Sequence, residues 1–205
     1  MNRSSSAFGF DVSIGHKLLR VHWLSLIVMG VIVSIGLTSL YSIAGGSFAP
    51  WAERHVVRFL IGVGCILAMA VTPREVWIGL AYPAYLLALA MLAGVFFFGL
   101  EAGGAKRWLT IGGLTFQPSE FMKIALIVAL ARYYQWCGPS RVSRPVMLIA
   151  PLAMIATPVM MTLLQPDLGT AVLLVLLGVG LMFLAGVHIL YFLGSAVIVG
   201  AMLPL

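Results

Sequence analysis

One short stretch of the chain carries residue types that could bind a phosphate group. Lys106 and Arg107 supply two adjacent cations, and Trp108 beside them suits the boundary between lipid headgroups and hydrocarbon. Glycine pairs flank these residues on both sides and permit tight turns or the close approach of a ligand. Gln117 ends the stretch where an apolar run begins. We expect this stretch to meet an anionic group at a membrane surface.

A second polar feature lies inside the apolar run that follows. Glu120 and Lys123 are three residues apart, so on a helix they share one face and can pair. A charge at mid-membrane costs roughly 2.5–3.5 kcal/mol on insertion scales, so Lys123 should face a partner or a wet cavity rather than lipid. The pair could also serve only to hold its helix in place.

Two similar tetrapeptides, QPSE at 117–120 and QPDL at 165–168, each open an apolar run. Proline is favoured at the first helical position, and each motif places an acid near the positive end of a helix dipole. Two such helix starts, with Lys106 and Arg107 nearby, could hold a pyrophosphate through their free N–H groups. Asp167 also has a simpler interpretation, as a charge that stabilises its own helix.

The elements that must position these residues are membrane spans. Hydrophobic residues make up 62% of the chain and charged residues only 9%, with a mean hydropathy of +1.11. Soluble domains carry about 25% charged residues, so lipid must cover the apolar surface. The net charge of +6 does not indicate nucleic-acid binding, because the basic residues are spread between apolar runs.

The apolar runs predict an all-α, polytopic transmembrane helix bundle with about seven spans. The runs cover residues 21–41, 56–72, 76–99, 121–136, 146–164, 170–187 and 189–205. Residues 1–20 are expected to form a polar cytoplasmic segment, and residues 21–205 one transmembrane domain. Lys and Arg favour the loops on the side of the amino terminus, so the positive-inside rule predicts a cytoplasmic amino terminus and an outer position for Lys106.

Common catalytic motifs are missing from the sequence. There is no Walker loop, GxSxG or HExxH motif. The four histidines lie at predicted span ends without the spacing of a metal-ligand set, so no metal-ligating residue is assigned.

Three motifs in a fixed order give the chain a resemblance to a known family. AKRW at 105–108 with IG at 111–112, then QPSE at 117–120 with Lys123, then QPDLGT at 165–170, resemble the SEDS family of shape, elongation, division and sporulation proteins. The resemblance runs from residue 16 onward. It is strongest to the elongation branch, with the division branch as the close alternative.

The resemblance implies a peptidoglycan glycosyltransferase that polymerises lipid II into glycan strands at the outer face of the bacterial cytoplasmic membrane. Undecaprenyl pyrophosphate would leave, a class B penicillin-binding protein would be the partner, and a divalent cation, Mg²⁺ or Mn²⁺, would be the cofactor. The matching positions are Glu120, Lys123 and Asp167 for the polar cavity, and Lys106, Arg107, Trp108 and Gln117 for the substrate-binding outer loop.

One departure separates the chain from the family pattern. Family members continue with further spans, and the acid usually assigned as catalytic lies in a large outer loop after the seventh. The chain ends at Leu205 before such a loop, so no catalytic residue is assigned and we expect the chain alone to be inactive. Two other functions stay open: a flippase or transporter of lipid-linked precursors, which interrupted helices with buried charge would suit, and a non-catalytic scaffold for the penicillin-binding protein.

Overall fold

The apolar runs become helices in a computed structural model, which describes residues 14–19, 21–102, 105–111 and 114–194. They belong to two compact units, Met1–Pro73 and Arg74–Leu205. The elements, in chain order, are α1 Ile14–Leu19, α2 Trp23–Ile43, α3 Trp51–Val71, α4 Arg74–Phe98, β1 Leu100–Ala102, β2 Ala105–Ile111, β3 Leu114–Phe116, α5 Pro118–Cys137, α6 Pro145–Leu164 and α7 Leu168–Leu184.

The first unit contains α1, α2 and α3. The turn between α2 and α3 needs glycine, because Gly45 and Gly46 have φ angles of 65° and 86°. The Gly46 N–H donates to the Tyr41 carbonyl at 3.0 Å and so satisfies one free carbonyl at the end of α2. Helix α2 has no buried residue and α3 buries only Ala52. Nearly all side chains of both helices are therefore left at the surface of the chain, where lipid or further protein must cover the apolar ones.

The second unit is built around α5, which contacts α4, α6 and α7. Its buried residues form one helical face, in which each lies three or four positions from another: Pro118, Ser119, Met122, Ala125, Leu126, Ala129, Leu130, Tyr134 and Cys137. Helices α6 and α7 approach closely where Gly178 faces Ile155, since a Cβ at Gly178 would lie 2.5 Å from Ile155 Cγ1. The interior of this unit is thus apolar and closely packed.

Four of the described helices, α2, α3, α4 and α6, are long and apolar enough to cross a membrane. Helix α5 has 20 residues but carries three charged side chains, and α7 is an apolar helix of 17 residues. A further helical segment begins at residue 189, whereas residues 195–205 of the seventh predicted span lie outside the described residues. The predicted segment 1–20 includes α1; its residues 1–13 and 20 also lie outside the described residues.

Residues 100–116 contain an element that the sequence analysis did not predict. Strands β1, β2 and β3 form an antiparallel sheet in that order, with Glu101 opposite Lys106 and Thr110 opposite Thr115. The signal was present, because Gly-Gly pairs at 103–104 and 112–113 separate short runs at the spacing of β-hairpins. This sheet matters for function because β2 carries the two adjacent cations.

Candidate functional site

Strand β2 sorts its side chains onto two faces. Lys106 and Trp108 are exposed, whereas Arg107 and Leu109 between and after them are half-buried. Successive residues of a strand point to opposite faces, so the two adjacent cations cannot share one environment. Lys106 lies on the exposed face of β2, where a ligand can reach it, and Arg107 points toward the protein.

Arg107 is held by the turn between α6 and α7. Its Nη2 donates a hydrogen bond to the carbonyl of Pro166, and its Nε lies 3.9 Å from Asp167 Oδ2. That Nε is buried and has no hydrogen-bond partner, so its contact with the carboxylate is electrostatic. Because the Asp167 side chain is only 11% exposed, water screens this attraction weakly.

Asp167 is the N-cap of α7. Its Oδ1 accepts from the Thr170 backbone N–H at 3.1 Å, and its Oδ2 accepts from the Thr170 hydroxyl at 2.8 Å. Gln117, just before α5, donates from Nε2 to the same Oδ2 at 3.3 Å. We call Arg107, Gln117, Asp167, Thr170 and the Pro166 carbonyl the Arg107 cluster. It joins β2, α5 and α7 at the end of the second unit where α5 and α7 begin.

Glu120 and Lys123 form the predicted pair on α5. Lys123 Nζ lies 2.8 Å from Glu120 Oε2 and 2.9 Å from Oε1. The Glu120 side chain is 56% exposed, and that of Lys123 only 21%. Within the part of the chain that the structure describes, no side-chain hydrogen bond or ion pair joins this pair to the Arg107 cluster. The seven predicted site residues are therefore split between the Arg107 cluster, this pair, and the exposed Lys106 and Trp108.

Two contacts that hold this site together were missed by sequence reasoning. Thr170 completes the cap of α7, and an Asp followed three residues later by a hydroxyl residue is the spacing that could have indicated it. Gln165 is 5% exposed and donates from Nε2 to the Leu92 carbonyl of α4 at 2.9 Å. Its side chain fixes the end of α6 directly before Asp167. No local sequence signal predicts that long-range contact.

Among the described residues, no ready-made set of metal-ligating side chains is found. Mg²⁺ is usually held by one or two carboxylates together with water and substrate phosphates, and the described ranges contain no group of three His, Cys, Asp or Glu side chains that could hold a metal ion. Asp167 is engaged by the Arg107 cluster and Glu120 by Lys123. We therefore derive no step through a cation.

This chain matches a known protein family over nearly its whole length. The profile of the FtsW, RodA and SpoVE proteins, described as cell cycle proteins, matches residues 16–204. The chain belongs to this family. Together with the apolar helices, membership makes it a multi-pass protein of the bacterial inner membrane.

Curated relatives of this chain come from both the division branch and the elongation branch of the family. The chain is 36% identical over 186 residues to the probable peptidoglycan glycosyltransferase FtsW of Thiomicrospira cyclica, covering 88% of this chain and 47% of that protein. It is 33% identical over 164 residues to the peptidoglycan glycosyltransferase MrdB of Escherichia coli K12, covering 79% and 43%. The chain thus spans less than half the length of these two relatives.

Two solved structures share the fold of this FtsW/RodA/SpoVE chain. A peptidoglycan synthase complex, studied for how it coordinates polymerization and crosslinking, matches with a TM-score of 0.68 at 30% identity, covering 88% of this chain and 53% of that one. The rod shape determining protein RodA of Thermus thermophilus matches with a TM-score of 0.65 at 29% identity, covering 89% and 59%. The polytopic helical fold is therefore that of the family.

Proposed function

We propose that this chain works in the polymerisation of lipid II into peptidoglycan glycan strands, at the outer face of the inner membrane. The observation that carries the proposal is the arrangement at one end of the second unit. There the exposed Lys106 lies beside an anchored Arg107, next to the starts of α5 and α7. The names of the relatives, peptidoglycan glycosyltransferases of both branches, support the reaction class.

The arrangement suits the leaving group of this reaction. The 4-hydroxyl of the incoming sugar attacks the growing strand, and the bond to the lipid pyrophosphate breaks with negative charge accumulating on the phosphate. Fixed positive charge stabilises that transition state. Lys106, exposed on one face of β2, supplies the cation for the phosphate, and Arg107 on the other face holds β2 against the Pro166 carbonyl and Asp167, so that Lys106 is positioned before binding.

We assign no proton transfer to the described carboxylates at this end. A general base must be free to accept the proton of the acceptor hydroxyl. Asp167 already accepts hydrogen bonds from Thr170 and Gln117, and Glu120 is paired with Lys123. Both acids therefore act as positioning groups in this proposal, and the catalytic base is a residue that we do not assign.

The partner in this proposal is a class B penicillin-binding protein, which would cross-link the strands as they form. Support comes from the likeness to a structure of a peptidoglycan synthase complex that couples polymerization with crosslinking. Service in cell elongation follows the resemblance to the elongation branch. The Mg²⁺ or Mn²⁺ cofactor stays a prediction of that resemblance.

The proposal is tested by binding of undecaprenyl pyrophosphate to the chain in lipid nanodiscs. We expect Lys106→Ala to weaken binding about tenfold, the loss of about one charge-assisted contact. Arg144→Ala is the matched control, because it removes an exposed cation from the opposite end of α6 and should leave the affinity unchanged. Equal binding by the wild type and the Lys106→Ala, Arg107→Ala double variant would contradict the proposal.

Two further assays separate the alternative functions. Movement of lipid II across liposome membranes that contain the chain would indicate a transporter instead. Co-purification with a class B penicillin-binding protein, without any binding of the lipid pyrophosphate, would indicate a scaffold. We expect binding of the pyrophosphate and no movement of lipid II.

A further inference from the structure

Helix α6 contains two buried prolines, Pro151 and Pro158, each less than 2% exposed. Proline has no backbone N–H, so each removes one hydrogen bond from the helix ladder. The carbonyls left without their usual donor belong to the residues four positions earlier, Met147 and Met154. No water reaches such a group within a bilayer, so another part of the protein must supply a donor.

Two tyrosines from different helices supply those donors. Tyr133 of α5 donates its hydroxyl proton to the Met147 carbonyl at 2.9 Å. Tyr85 of α4 donates to the Met154 carbonyl, also at 2.9 Å. Each proline gap is thus closed by one hydroxyl, and the two gaps are seven residues apart, so they lie on similar faces of α6.

We propose that Tyr85 and Tyr133 are positioning residues that set the path of α6 by closing its two proline gaps. Helix α6 can bend where its ladder is interrupted, and bending there would break one of the two tyrosine hydrogen bonds. The end of α6 carries Gln165, which is bonded to Leu92 of α4, and the next turn carries Asp167. A fixed path of α6 therefore keeps the Arg107 cluster assembled.

This inference does not depend on the proposed function, since it concerns backbone groups of the bundle. The competing explanation is that the two tyrosines only fill space. Replacement by phenylalanine keeps the ring and removes the hydroxyl, so packing is preserved in the variants. The two explanations differ in whether a restored backbone N–H compensates for the lost hydroxyl.

The first experiment measures thermal unfolding of the chain in detergent with a thiol-reactive dye. Cys137 is buried and reports unfolding once the exposed Cys65 has been replaced by Ser. We expect Tyr85→Phe to lower the midpoint by about 2–4 °C, as for the loss of one hydrogen bond. In a Pro158→Ala background the backbone N–H restored at that position bonds the Met154 carbonyl, so the same change should then cost less than about 1 °C.

The variants at each proline gap serve as the control for the variants at the other gap. Pro158→Ala should rescue Tyr85→Phe and leave the effect of Tyr133→Phe unchanged, while Pro151→Ala should rescue Tyr133→Phe alone. Tyr134→Phe is a further control, since that hydroxyl is buried with no hydrogen-bond partner and its removal should cost nothing. Equal losses in the proline and alanine backgrounds would overturn the inference.

A second measurement needs no proline variant. Met154 and Ile155 form the one Met-Ile pair in the sequence, so ¹³C′-methionine with ¹⁵N-isoleucine labelling yields a single carbonyl signal, that of Met154. Tyr85→Phe should shift this signal, and Tyr134→Phe should not. An unshifted Met154 carbonyl in the Tyr85→Phe variant would equally overturn the inference.

Discussion

Asp167 connects three segments of the chain through one carboxylate. It caps α7 through Thr170, accepts from Gln117 before α5, and lies within ion-pair distance of Arg107 on β2. A side chain with so many partners has little freedom, and its main contribution is to hold the others. At the residue scale, the site is therefore an anchored charge, Arg107, beside an exposed one, Lys106.

Replacing Asp167 should separate capping from anchoring. Asn keeps an oxygen for the Thr170 N–H but removes the second acceptor, so Asp167→Ala should destabilise the chain by about 1 kcal/mol more than Asp167→Asn. Both variants should speed tryptic cleavage after Arg107, because the guanidinium loses its carboxylate partner. Unfolding midpoints and cleavage rates provide the two measurements.

The control for these variants is Glu53→Gln, which alters an exposed acid in the first turn of α3. It should change the free energy of unfolding by no more than about 0.5 kcal/mol. The interpretation would be wrong if Asp167→Asn left cleavage after Arg107 as slow as in the wild type.

At the residue scale, the sequence could predict the helix-stabilising interpretation of Asp167, because an acid near a helix start has a local effect. It could not predict which of Lys106 and Arg107 faces the protein. That choice depends on the register of β2, and a shift of one residue would exchange the two faces. The pairing of Glu120 with Lys123 was predictable, since both lie on one helix face.

At the scale of elements, helix starts differ from the apolar runs by a few residues. Helix α3 begins at Trp51 rather than residue 56, and α5 at Pro118 rather than residue 121. A run of apolar residues marks only the part of a helix that lipid or protein covers. The polar first turns with Glu53 and Glu120 therefore fell outside the predicted spans. The strands were not predicted because, over three to seven residues, an alternation of apolar and polar side chains is too short to distinguish a strand from a loop.

The close approach of α6 and α7 predicts unequal effects of two neighbouring glycines. Gly178→Ala should destabilise the chain by about 1–3 kcal/mol, because the new Cβ would overlap the branched Ile155 side chain. Gly180→Ala should be neutral or stabilising, since its Cβ would meet nothing within 4 Å and alanine favours helix. Equilibrium unfolding of both variants checks this, and a harmless Gly178→Ala would contradict the close contact.

At the scale of the whole molecule, the chain contains two units of different character. The second unit buries a continuous apolar interior, whereas the two helices α2 and α3 of the first unit have only one buried residue in total. Lipid or further protein must cover those two helices in the membrane. The class of fold followed from composition and from the length of the apolar runs, because no soluble core could hide so much apolar surface and each long run suits a membrane-spanning helix.

The predicted cytoplasmic position of the amino terminus implies which loops face outward. In a background without Cys65 and Cys137, single cysteines replacing the exposed Ser47 or Thr110 should react with a membrane-impermeant maleimide in intact cells. A cysteine replacing the exposed Ser140 should react only after permeabilisation, because it lies in the loop on the side of the amino terminus. The reverse pattern would invert the orientation.

Because successive side chains of β2 point to opposite faces, the order of the two neighbouring residues Lys106 and Arg107 matters. Writing Arg-Lys in place of Lys-Arg at 106–107 would leave length, charge and composition untouched. It would nevertheless deliver a compact ammonium to the Pro166 carbonyl, where a planar fork of several N–H groups now reaches both that carbonyl and the carboxylate beside it. Exchanging the two residues would thus remove the contacts that anchor Arg107, while the length, charge and composition of the chain stayed the same.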